Sequence, residues 1–307
     1  MEVKSSEEVV ALGLFCEQKH KRPLGFNVQT LHLNMTGSEQ RDQIWPEYNG
    51  LLCMPEYKQL IYPQLLANLF QFHRYIDEFD AGLVSREDLI ELGREGFVFD
   101  TQVETKTYGL ELPDSSGHLA LPFSSSLKNQ LSRSKRLLQE QGSLEITFEF
   151  DRDKVQQKFN EMAGLHKQAW GQESGFHNHY FVDFHQRLIE SSCDIQPMVA
   201  SLAVNGNVIA RNLNYQAGST LCFYLGVAEK NTDNRIKSGL LLHAETVQAM
   251  QQWQCNKYDF LAGDYQYKKR MSNKVSDMCR TRIKRSSMKF KIESLLKTLK
   301  NKSMGLE

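Results

Sequence analysis

Apolar and polar positions along this chain change period repeatedly, and each change marks an element. From Glu56 to Tyr75, Leu60, Leu65, Leu66, Leu69 and Phe72 recur at the spacing of one helix face, which predicts an amphipathic helix. Ala81-Gly-Leu-Val predicts a short strand. Ser85 then predicts an N-cap, with Asp88 in the capping-box place. Gly96 to Asp100 and Thr105 to Leu112 predict two strands, with a turn at Pro113-Asp-Ser-Ser-Gly. This mixture predicts a small α/β unit that ends near residue 122. No internal repeat and no low-complexity linker is visible.

Beyond that point the order is easier to read. Ser124-Ser-Ser opens a basic helix with Lys128, Arg133, Lys135 and Arg136, which stops near Gly142. Leu144 to Phe150 alternates as a strand does. Asp151 caps a helix that places Val155, Phe159, Met162, Ala163 and His166 on one side. The loop from Trp170 to Gly175 leads to a second helix around Tyr180 to Glu190. Pro197 to Val204 and Val208 to Tyr215 pair across the Asn205-Gly206 turn. Thr220 to Val227 is a third strand, followed by a helix from Ser238 to Trp253 and a strand from Tyr258 to Leu261. The order β-α-α-β-β-β-α-β is that of the Gcn5-related N-acetyltransferase fold, a mixed α/β class. A Rossmann pattern is excluded, since no G-x-G-x-x-G follows the first strand.

Length and charge narrow the classes. A chain of 307 residues suits one large domain or two medium ones. Its formal net charge is zero, so the whole chain is no nucleic-acid footprint. Six cysteines, widely spaced and without C-x-x-C, read as reduced thiols in a cytoplasm. The N-terminus has early acidic residues and no apolar signal-peptide core, and no run is as long as a transmembrane helix.

The segments Leu165-His-Lys-Gln-Ala-Trp-Gly, Phe223-Tyr-Leu-Gly-Val, Ser238-Gly-Leu-Leu-Leu-His-Ala-Glu and Tyr258-Asp-Phe-Leu-Ala-Gly-Asp-Tyr-Gln-Tyr-Lys resemble the CelD/BcsL-like acetyltransferases. That family is related to the FemAB peptidoglycan aminoacyltransferases. The basic helix from Leu127 to Gly142 adds to the match, which covers roughly residues 125–270. The resemblance implies two tandem acetyltransferase-like units: a degenerate one at 1–123, a catalytic one at 124–285, and a basic amphipathic tail at 286–307. It implies acyl transfer, with acetyl-CoA or another acyl-CoA as co-substrate, to a sugar or nucleotide-sugar precursor of surface polysaccharide. The sequence departs from the [QR]-x-x-G-x-[GA] phosphate pattern. Around Gly239 one glycine survives, and Ser238 stands where the family often has proline.

The candidate donor site is the start of the Ser238 helix. Backbone N–H groups there lack intrahelical partners, and the dipole favours an anion. Gly239 admits close approach, while Arg235 and Lys237 add charge. The alternative is an ordinary Ser238 N-cap with surface charges nearby. Phe223, Leu225 and Val227 lie on the strand expected to splay and to pair with a pantetheine arm. The alternative for them is a plain core strand.

The candidate catalytic residues follow the last strand. Asp264 can act as base or orient the acceptor, Tyr267 can protonate the leaving thiolate, and Lys268 can stabilise an oxyanion or hold a phosphate. Against this stands a surface Asp264–Lys268 pair with packed tyrosines. His177-x-His179 faces the acceptor in such a fold, and no third ligand makes it a metal site. His243 reads as an ordinary helix residue, and Trp170 as a loop anchor or part of an acceptor cleft. Met288, Ile292, Leu295, Leu296 and Leu299 have helical spacing among lysines. That pattern fits a tail by which a cytoplasmic protein touches the anionic inner membrane peripherally, or one docked on the N-terminal unit. Two other functions stay open. One is a FemAB-like aminoacyltransferase with an aminoacyl-tRNA donor, the only nucleic-acid partner expected. The other is a non-catalytic relative at the membrane.

Overall fold

The computed structural model describes residues 1–22, 25–92, 96–113 and 121–303. Past Pro113, the turn expected at Pro113-Asp-Ser-Ser-Gly lies outside them. The first half of the chain forms β1 (Glu2–Ser5), β2 (Glu8–Leu12), β3 (Phe15–Lys21), β4 (Asn27–Leu33), β5 (Leu52–Cys53), α1 (Pro55–Phe72), β6 (Glu78–Ser85), α2 (Arg86–Glu91) and β7 (Phe97–Glu111). Then come α3 (Ser125–Gln141), β8 (Leu144–Glu149), α4 (Arg152–Trp170), α5 (His179–Glu190), β9 (Ile195–Val204), β10 (Asn207–Ala217) and β11 (Thr220–Ala228). The chain continues through α6 (Ser238–Ala249), β12 (Lys257–Ala262), α7 (Gln266–Met271), β13 (Lys274–Arg285) and α8 (Met288–Ser303). Two compact units result. One holds Met1–Thr105 with Asp277–Glu307, the other Lys106–Ser276.

In the Lys106–Ser276 unit the strand order is β7-β12-β11-β10-β9-β8. Helix starts follow local chemistry. The Ser124 hydroxyl accepts from the Leu127 N–H and the Asp151 carboxylate from the Lys154 N–H, satisfying N–H groups that a first turn leaves orphaned. Asn205 and Gly206 both have positive φ, the geometry of the tight turn joining β9 to β10. One face of the sheet packs on α3 and α6 through Leu127, Leu138, Leu242, Val247 and Tyr258. The other packs on α4 and α5 through Val155, Phe159, Phe181 and Leu213.

The other unit has the order β3-β4-β6-β13-β7 beside a small sheet β1-β2-β5. Its core joins α1 to the sheet through Leu31, Leu66, Phe79 and Ile283. The unit repeats part of its neighbour's architecture. The antiparallel pair β3/β4 crosses through α1 to β6, parallel to β4, as β10/β11 crosses through α6 to β12, parallel to β11. A short helix and a strand follow in both. Even the backbone detail recurs. Buried Asp80 accepts from the Gly82 N–H at 3.0 Å, and buried Asp259 from the Leu261 N–H at 2.8 Å. Gly82 (φ 74°) and Leu261 (φ 60°) are both left-handed, a conformation that favours glycine. A repeat is therefore present, carried by geometry where residue identity has diverged.

Several sequence expectations are corrected. The two strands expected at Gly96–Asp100 and Thr105–Leu112 are one, β7. Lys274–Arg285, for which the sequence predicted no element, forms strand β13, because Cys279, Thr281 and Ile283 alternate into the core. The compact units also divide differently from boundaries at 123/124 and 285/286. Residues Thr107–Glu111 of β7 pair with β12, and Met278–Lys284 of β13 pair with β6. The Met1–Thr105 unit takes the strand beside its crossover strand from the far end of the chain and is discontinuous in sequence, whereas Lys106–Ser276 is one continuous segment.

Candidate functional site

The strands β11 and β12 run together only through Thr220, Leu221 and Cys222, paired with Lys257, Tyr258 and Asp259. From Phe223 onward β11 stays with β10 as far as Ala228. The gap this opens is a cleft of about 510 Å³, within the range of small-molecule sites. Phe223, Gly226 and Val227 form one wall, Ser238, Gly239, Leu240 and His243 another, and Asn212, Tyr267 and Trp170 complete it.

The start of α6, the candidate anion site, borders the cleft. Its N-cap is Lys237, which makes no side-chain cap bond, and Ser238 is the first helical residue. Ser238 is thus not the N-cap. The Lys237 backbone N–H donates to the buried Ser134 hydroxyl of α3 at 2.9 Å. The next three N–H groups, of Ser238, Gly239 and Leu240, have no intrahelical acceptor and border the cleft. A Cβ on Gly239 would lie 3.4 Å from that of Ala228.

Leu225 is not on this wall. A bulge at Tyr224 sets Asn214 opposite Phe223 but Leu213 opposite Leu225. One extra residue reverses the alternation, so Phe223 faces α6 while Leu225 packs under α4 and α5. Val227 packs on that core too, yet borders the cleft near its end. Arg235 leaves the apolar cleft as well. It grips Asp233 through bonds of 2.7–3.0 Å, which holds the Asp233 carboxyl down at about 2. It lines a second, polar cleft of about 750 Å³ with Arg133, Lys237 and Arg270.

The catalytic candidates separate. Tyr267 borders the cleft, its hydroxyl pKa raised by burial. Lys268 is buried, and its Nζ donates to the carbonyls of Ala262 at 2.5 Å and Leu261 at 3.3 Å. It secures the end of β12, where the Asp259–Leu261 turn exposes carbonyls. Asp264 bonds to the Tyr108 hydroxyl and to Lys269 at 2.8 Å. Those bonds hold its carboxyl below the usual range, Lys269 first. The Asp264–Lys268 pair weighed from sequence is replaced by Asp264–Lys269. His177 and His179 lie at the start of α5 and do not border the cleft.

The residue that sequence reading undervalued is His243. It lies four positions after Gly239 and so on the same helix face, the spacing that could have marked it. Its Nδ1 is 2.9 Å from the Tyr258 hydroxyl, which is 3.2 Å from Asn214 Oδ1. Its ring stacks on Tyr267 at 5.5 Å and 16°. Burial, with Lys268's charge beyond, pushes its pKa down to about 3, so it is neutral. Trp170 is 47% exposed at the cleft and stacks on His166.

Residues 125–269 match the sequence model of the acetyltransferase (GNAT) domain. The chain resembles FemX, with a TM-score of 0.52 and 12% identity, over 91% of this chain and 86% of that one. A conserved protein of unknown function from Bacteroides thetaiotaomicron VPI-5482 gives a TM-score of 0.53 at 14% identity, over 83% of this chain and 79% of that one. No curated protein sequence matches. Over the matched residues 125–269 the fold is that of the Gcn5-related N-acetyltransferases.

Proposed function

We propose that this protein is an acyltransferase that moves an acyl group from acetyl-CoA or another acyl-CoA to an amine or hydroxyl of a sugar or nucleotide-sugar precursor. The observation that carries this reading is the parting of β11 from β12 above three N–H groups that have no intrahelical acceptor at the start of α6. The N–H groups suit a pyrophosphate, and the free edge of β11 suits an amide-bearing arm. In this reading the amine or hydroxyl attacks the thioester carbonyl, the new bond to carbon forms and the C–S bond breaks. With Tyr258 donating to Asn214 and His243 Nδ1–H donating to Tyr258, Nε2 keeps its lone pair and takes the proton of the nucleophile. Tyr267 gives a proton to the sulfur, and the proton on His243 restores it. Trp170 offers a flat apolar platform for the face of a sugar ring.

The test is calorimetry with acetyl-CoA and CoA. Binding is expected, and Gly239→Glu, which sets a carboxylate before the free N–H groups, should weaken it about tenfold or more. Absence of binding by any acyl-CoA would refute the donor assignment. The polar cleft with Arg133, Lys237 and Arg270 favours a second reading, an aminoacyl-tRNA donor. Assaying aminoacyl transfer from charged tRNA beside acetyl transfer from acetyl-CoA separates the two.

A further inference from the structure

Helix α8 carries its apolar stripe on the outside. Its inner side is fixed by Phe290, 5.4 Å beneath Lys284 Nζ, by buried Glu293 and by a Lys289–Asp77 ion pair. At 100° per residue, Met288, Ile292 and Leu295 lie on the side opposite Phe290. They are 71%, 50% and 62% exposed, and Leu296 beside them is 39% exposed. A surface helix ordinarily turns its apolar side inward. Here the inward side holds a carboxylate, and the outward side holds a contiguous apolar stripe.

Charge identifies what covers it. The helix is lysine-rich in sequence, with Lys291 beside the stripe and Lys289 turned to Asp77, and its one acidic residue, Glu293, is turned inward. We propose that this face of α8 docks on an anionic lipid surface, with Met288, Ile292 and Leu295 sunk at the headgroup level and Lys291, beside them on the helix, reaching the lipid phosphates. A second copy of the chain is a poorer occupant, because stripe against stripe would bring two lysine-rich helices together. The helix is already folded on its own unit, so docking costs little ordering. The inference stands independently of the acyl-transfer reading.

The experiment is flotation of the full chain with phosphatidylcholine vesicles, with and without phosphatidylglycerol, at low and high salt. The expected result is binding to the anionic vesicles alone, weakened by salt. The Ile292→Glu, Leu295→Glu double variant should bind at least about tenfold more weakly, with unchanged circular dichroism. Lys291→Glu, which leaves the stripe intact, should weaken binding to anionic vesicles by a smaller factor. No binding to either vesicle, or equal binding by the double variant, overturns the proposal. So does a concentration-dependent dimer that the same double variant abolishes, since it assigns the stripe to a second copy.

Discussion

His243 is neutral because its ring is enclosed by Phe223, Tyr258, Phe260 and Tyr267, with no carboxylate to offset the loss of water. His166 and His185 are buried too, with pKa values pushed down to about 4 and about 3. An unfolded chain protonates these rings below about pH 6.5, while the folded one resists until near pH 3–4. Stability is therefore full above that window and falls as pH drops through it. At pH 5 the two most deeply buried rings, His185 and His243, each remove about 2 kcal/mol. His243→Gln should return its share, seen as a smaller fall in urea midpoint between pH 7 and pH 5. The same variant should lower kcat about 10²–10⁴-fold while leaving acyl-CoA affinity intact. Unchanged kcat would remove His243 from the chemistry. Sequence placed Tyr267 and Gly239 at the cleft, since both follow from element ends. It missed His243, whose partners Tyr258 and Asn214 come from separate strands.

At the scale of elements, the start of α6 depends on α3. The Ser134 hydroxyl takes the Lys237 N–H that the helix itself cannot satisfy. Ser134→Ala should cost about 1 kcal/mol in denaturant titration, and a cost near zero would mean that water serves as well. The α6 start was legible, because a glycine follows a strand and a basic turn. The Ser134 contact was not, since the two residues lie far apart in sequence and serine on a basic helix looks like solvent-facing polarity. The side-chain alternation along Phe223, Leu225 and Val227 is broken for a similar reason. A bulge leaves no residue-type signature, yet it reverses every side chain beyond it.

Across the whole molecule, the most legible part was the segment whose neighbours in space are also neighbours in sequence, β8 to β12. The Met1–Thr105 unit was opaque because its sheet is completed by β13. Glu78 and Asp80 are buried in β6 and are paired by Lys284 and Arg280 of β13. Burial works to raise the Asp80 pKa, but bonds from His32 and Arg280 hold it well below the usual range. A fragment ending at Thr105 keeps these acids with Arg22 beside Glu78 and His32 beside Asp80, but loses Lys284 and Arg280. It should therefore lack the dispersed amide spectrum of a folded sheet, and a well-dispersed spectrum would contradict this. The same exchange orders events during synthesis. Once β6 has left the ribosome, its partner strand follows about 190 residues later, on the order of 10–40 s at ordinary elongation rates. The unit made first is the one completed last, and through that interval the β6 edge awaits Arg280 and Lys284 with Arg22 and His32 beside its two acids.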